Sequence, residues 1–104
     1  MPKSAPVPIS ATFELLTGSC IITFDQPLLP GPSNIANYLI YYNLMVAPPQ
    51  ANAVVAGNTV RLLKSGFDVP DGRPNQFTFS DIVHDLFGLN GMPVAPFAQP
   101  FTVI

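Results

Sequence analysis

NQFTFSDIVHDLFGLNGMPVAPFAQPFTVI, residues Asn75–Ile104, is the stretch on which the fold turns. It opens as an alternating strand, passes a Gly- and Asn-rich turn and crosses a proline-spaced segment, Pro93–Pro100. It closes on a short run of β-prone residues, Phe101–Ile104. A β-sandwich ends its chain in this way, by returning one last strand to an open edge.

Outward from that stretch, proline is the punctuation. The chain has 13 prolines in 104 residues, and a residue with no N–H to give a ladder collects at edges and turns. The prolines leave four windows, Ile9–Gln26, Ser33–Ala47, Gln50–Val69 and Asn75–Met92. The first splits at Thr17-Gly18-Ser19 into two alternating runs. Ile9, Ala11, Phe13 and Leu15 share a face in one run, and Cys20, Ile22 and Phe24 share a face in the other. The third splits at Gly57-Asn58, a hairpin signal because both residues tolerate positive φ. In the second, Ile35, Tyr38, Leu39, Tyr42 and Met45 fit a helical stripe, with Asn34 as a candidate N-cap. Tyr38, Ile40, Tyr42, Leu44 and Val46 fit a strand face equally well, and the Tyr, Ile and Val content decides for strand, with a short helical turn around Ser33–Ala36. About seven closely spaced strands follow, which is the pattern of an all-β antiparallel sandwich.

Composition narrows the function. A chain of 104 residues is one domain with one core. Its charged share is 10%, against roughly 25% in ordinary domains, so its surface must be amide, hydroxyl, proline and apolar side chain. Such a surface points to a partner covering part of it. The formal charge is −2 and the four bases, Lys3, Arg61, Lys64 and Arg73, are scattered, which argues against nucleic acid. No apolar run reaches membrane-spanning length, and MPKSAPVPIS lacks the apolar region of a secretory signal, so synthesis in the cytoplasm is expected.

Candidate chemistry is sparse. His84 stands near Asp81 and Asp85, but the chain has no second histidine, and Cys20 lies on an apolar strand face, so neither builds a nucleophilic constellation. Asp81, Asp85 and Asn90 do not have the spacing of a loop calcium site, and Asp85 reads as a residue capping its own turn. A lone cysteine forms no internal disulfide and no cysteine cluster. No cofactor and no metal is expected. Asp71-Gly72-Arg73-Pro74 reads as a tight turn, and Gln26–Ser33 and Val46–Asn52 read as proline-stiffened connections.

The run ITFDQPLLPG from Ile22, then NIANYLIYYN, VVAGNTVRLL and FGLNGMPVAPF, resembles bacterial Ig-like domains. It resembles most closely the small single-domain Ig-like proteins of tailed-phage virions. The resemblance runs from about Ile9 to the end and implies an Ig-like (fibronectin III-like) sandwich over residues 9–104; ahead of it, Pro2, Pro6 and Pro8 give residues 1–8 the reading of an extended arm. Asp85-Leu-Phe-Gly88-Leu-Asn90 has one residue more than the family's turn before its last strand. An ion role there is not carried over. No catalytic residue is implied. The expected function is a non-enzymatic structural protein of the virion, decorating capsid or tail and forming a homo-oligomer or binding a lattice. The alternative is a glycan-binding or adhesive module of a bacterial surface protein, with Tyr38, Tyr41 and Tyr42 as candidate stacking rings, although core and interface packing is the expected use of these rings. The partner-facing residues expected are Pro6 and Pro8 in the arm, Tyr41, Pro48 and Pro49 in a connection, and Phe87 and Leu89 in the Gly-rich turn.

Overall fold

The computed structural model describes residues 4–14, 16–42, 45–47, 52–62 and 76–104. Among them are ten strands in chain order: β1 (Pro8–Glu14), β2 (Ser19–Phe24), β3 (Gly31–Ser33), β4 (Tyr38–Tyr42), β5 (Met45–Ala47), β6 (Ala53–Ala56), β7 (Thr59–Leu62), β8 (Gln76–Phe79), β9 (Phe97–Pro100) and β10 (Thr102–Val103). They form one sheet in the order β10-β1-β2-β7-β6-β3 and a second in the order β5-β4-β8-β9. Within these, β1-β2-β7-β6 faces β4-β8-β9, the strand order of an Ig sandwich. The three additions, β3, β5 and β10, are two or three residues long and all lie on sheet edges. Short edge strands leave little ladder open to a stray chain.

Register explains the core. On the first sheet Phe13 stands opposite Cys20, Ala11 opposite Ile22 and Ile22 opposite Val60, so the buried residues form rows across the strands. On the second, Tyr38 pairs with Phe79 and Phe79 with Phe97. Period-2 alternation sends these rows to one face. The rings of Phe97 and Phe101 bind the two layers together. Phe97 meets Phe24 edge-on at 5.7 Å and Phe77 at 5.6 Å, and Phe101 lies 6.2 Å from both Phe13 and Phe77. Such pairs add to simple area burial.

Several expectations shift. Ile9 does not share the buried face of Ala11 and Phe13: a register irregularity between Pro8 and Ser10 turns it outward, 59% exposed. Leu15 lies outside the described residues. The second window is a 3-10 turn, Ile35–Asn37, followed by strand β4, and Asn34 caps the turn by accepting from the Ala36 N–H at 2.9 Å. Gln26–Ser33 is more than a connection, because its last three residues are β3, paired with β6. Pro93–Pro100 is more than a stiff approach: Phe97–Pro100 is itself a strand on β8. Pro100 is tolerated there because β9 is an edge. After Phe101 the chain changes sheets, and β10 runs parallel to β1. The Gly57-Asn58 hairpin forms as read, with Ala56 opposite Thr59 and Gly57 at φ 58°. The turn expected at Asp71–Pro74 falls outside the described residues.

Candidate functional site

β1 starts, and β2 and β8 end, at one end of the sandwich, where the connections 25–37, 57–58 and 80–96 gather. Backbone hydrogen bonds stitch these connections together. The Leu28 N–H donates to the Gly57 carbonyl at 2.8 Å, Leu29 N–H to Phe87 O at 2.9 Å and Leu89 N–H to Pro27 O at 3.1 Å. Leu28, Leu86 and Val94 are buried beneath and supply the apolar anchors. A loop held at both backbone and side chain presents its outer residues in a fixed arrangement, and a fixed arrangement lowers the ordering cost of binding.

A polar knot completes that rigidity. Asn37 is fully buried. Its Nδ2 donates to Val83 O at 3.0 Å and to Asp85 Oδ1 at 2.6 Å, while its Oδ1 accepts from the Val83 N–H at 2.6 Å. Its main-chain carbonyl accepts from the Ser80 N–H at 2.8 Å. Asp85 Oδ1 also accepts from Ser33 Oγ at 2.8 Å, and Oδ2 accepts from the Asn34 N–H at 2.7 Å. Ser33 Oγ in turn bonds the hydroxyl of Tyr38. Asp85 therefore does not cap its own downstream turn; it reaches back some fifty residues in sequence to hold the connection before β4. Its oxygens are occupied by these donors. Burial pushes the Tyr38 phenol up, the Ser33 hydrogen bond opposes the rise, and the carboxylates of Asp85 and Asp81 add to it.

Outside the knot, the same connections expose Leu29, Ile82, Val83 and Leu89, with Ile82 at 64% and Leu89 at 58%. Four apolar side chains are thus exposed on pinned loops at this end, beside the carboxylates of Asp25 and Asp81. His84 lies among them, exposed, with Nδ1 3.1 Å from Asp81 Oδ2. Asp81 sits at φ 52°, a conformation Asp tolerates better than most residues, and turns the chain away from β8.

Of the residues expected to face a partner, three meet here. Pro6 is buried, and its ring seats against Gly88, between Phe87 and Leu89. It therefore presents little surface to a partner. Phe87 is half-buried and bridges to Pro93, and Leu89 is exposed. Pro8 opens β1 opposite Phe24, so residues 4–8 lie along the domain instead of standing off it as an arm. Tyr41 is elsewhere, half-buried on β4 between Val46 and Gln76. Pro48 and Pro49 lie outside the described residues. Leu29, Ile82 and Val83 escaped the sequence reading. Their signal was the apolar doublets Leu28-Leu29 and Ile82-Val83 inside otherwise polar or proline-rich connections.

Cys20 is fully buried, and desolvation pushes its thiol up to about 12, so it stays a protonated core residue. Among the described residues no group of three His, Cys, Asp or Glu side chains converges for a metal, and no helix is long and apolar enough to cross a membrane. No protein-family model matches the chain, and no curated protein matches it. Among solved structures it is similar to a carbohydrate acetylesterase from Xanthomonas citri, with a TM-score of 0.68 and 21% sequence identity over 92% of this chain. The chain spans only 22% of that structure's length. At that identity the likeness is one of fold.

Proposed function

We propose that this chain is a non-enzymatic structural protein of a tailed-phage virion, an Ig-like accessory domain that docks its loop end on a capsid or tail protein. The observation behind this reading is the exposed set Leu29, Ile82, Val83 and Leu89 on loops pinned by the Asn37–Asp85 knot. A rigid end that exposes several apolar side chains binds by buried area, and a repeated partner surface adds avidity. Chemistry is a poor fit to the reactive side chains: among the described residues His84 pairs with Asp81 on an exposed loop, and the Cys20 thiol is buried. Purified protein should co-sediment with capsid or tail particles lacking it, and Leu89→Asp should lower the bound fraction about tenfold or more, as loss of a central apolar contact does. Protein that stays in the supernatant in both forms sinks the reading.

A second reading draws on the structural neighbour. A sandwich of this kind occupies part of a carbohydrate acetylesterase, so the domain would serve as an accessory module beside a carbohydrate-acting one. Glycan-array signals lost on Tyr41→Ala, together with no particle binding, would favour it.

A further inference from the structure

Residues 4–7 form a strap across the loop end, held by contacts with residues far along the chain. The Ser4 carbonyl accepts from Asn90 Nδ2 at 2.9 Å and from Gln26 Nε2 at 3.0 Å. The Val7 N–H donates to Asp25 Oδ1 at 2.9 Å, and the Val7 carbonyl accepts from the Asp25 N–H at 3.0 Å. One apolar anchor accompanies these exposed bonds. Pro6 is buried on the backbone of Gly88, so closely that a Cβ at Gly88 would stand 2.8 Å from Pro6 Cγ. Only glycine leaves that seat open.

Below the strap the ladder is irregular. The β1–β2 ladder shifts register between Pro8 and Ser10, and Pro8 has no N–H to contribute. On either side of Pro8, Val7 and Ile9 are 54% and 59% exposed, so two apolar side chains are left uncovered where the strap joins the sandwich.

We propose that a second copy of this chain exchanges residues 4–7, each strap seating its Pro6 on the other copy's Gly88 and swinging about Pro8–Ser10. The occupant is named by the seat itself, which is shaped for this segment and already holds it in cis. Exchange therefore creates and loses the same strap contacts. What it adds is burial of Val7 and Ile9 between the two hinges, now a contiguous apolar contact. The closed form gains from the short tether, so exchange depends on concentration. The inference stands apart from the virion reading and survives its failure.

The test is light scattering on the unaltered full chain from dilute to concentrated solution, with folding checked by circular dichroism. The expected result is a dimer whose share rises with concentration. Concentration-dependent dimer that disappears in folded Gly88→Ala supports exchange. Dimer that persists in Gly88→Ala, or an unaltered chain that is monomeric throughout, overturns it.

Discussion

The interior of the sandwich and the knot at its loop end hold the same domain together by opposite means. The interior is a stack of rings and aliphatic side chains, with Phe77 touching Tyr38, Phe97 and Phe101. Its cohesion is proportional to area and indifferent to direction. The knot has almost no area. It consists of hydrogen bonds that Asn37 donates to Val83 and Asp85 and that Asp85 accepts from Ser33 and Asn34, each needing its partner within a few tenths of an ångström. The interior decides that two sheets exist and face each other. The knot decides where the connections before β4 and after β8 sit, and so where Leu29, Ile82, Val83 and Leu89 point.

Substitutions can separate the two. Phe77→Ala should be the most damaging, costing about 3–5 kcal/mol through lost area and an unfilled cavity, read as a lower urea midpoint. Next is Asn37→Ala, at about 2–3 kcal/mol, because the Val83 N–H and carbonyl lose their Asn37 partner and Asp85 loses one of its donors. Its signature differs from that of Phe77→Ala: amide exchange should speed first at Val83, whose N–H bonds the lost side chain, while the core strands stay protected. Equal acceleration everywhere would show that knot and interior are one cooperative unit.

The interior has a weakness the knot lacks, since it offers no partner for a charge. The Cys20 thiol rises from an ordinary 9.0 to about 12. In the unfolded chain the thiol ionises first, so its contribution is complete below pH 9.0 and is lost as pH climbs toward about 12. Stability should fall over that range with a slope approaching about 1.4 kcal/mol per pH unit from this group. Tyr38, raised in the same direction, steepens the fall. Cys20→Ala should start less stable and decline more gently in alkaline urea titrations. The smallest effect belongs to the surface. Leu29→Ser should change stability by no more than about 0.5 kcal/mol, while weakening any partner that covers the loop end.

The interior was largely legible in the chain because its rule is local. Cys20, Ile22 and Phe24 alternate, the layer they face is the only dry place available, and all three are buried. The Gly57-Asn58 turn was legible for a similar reason, since a two-residue hairpin carries its chemistry in its own two residues. The knot was not legible. Asn37 and Asp85 are far apart in the chain, and nothing in either neighbourhood marks them as partners. Ile9 misled because alternation predicts a face only while register holds, and the irregularity at Pro8–Ser10 breaks it. Pro6 was read as a partner-facing residue because proline near a chain's beginning suggests an extended arm. The Gly88 backbone against which its ring packs comes from the far end of the chain.

The order and kind of the residues are enough to specify an all-β sandwich with few charges. Periodicity, proline placement and composition act residue by residue and need no knowledge of what lies across the core. Tertiary structure decided which loops share an end, that Asp85 serves the connection before β4, and that residues 4–7 lie strapped over Gly88. It also decided that the final stretch, Asn75–Ile104, holds two strands after its turn, β9 on one sheet and β10 on the other. Hydrogen-bond partners and ring contacts between distant segments exist only once the two layers have closed, and no local pattern encodes them.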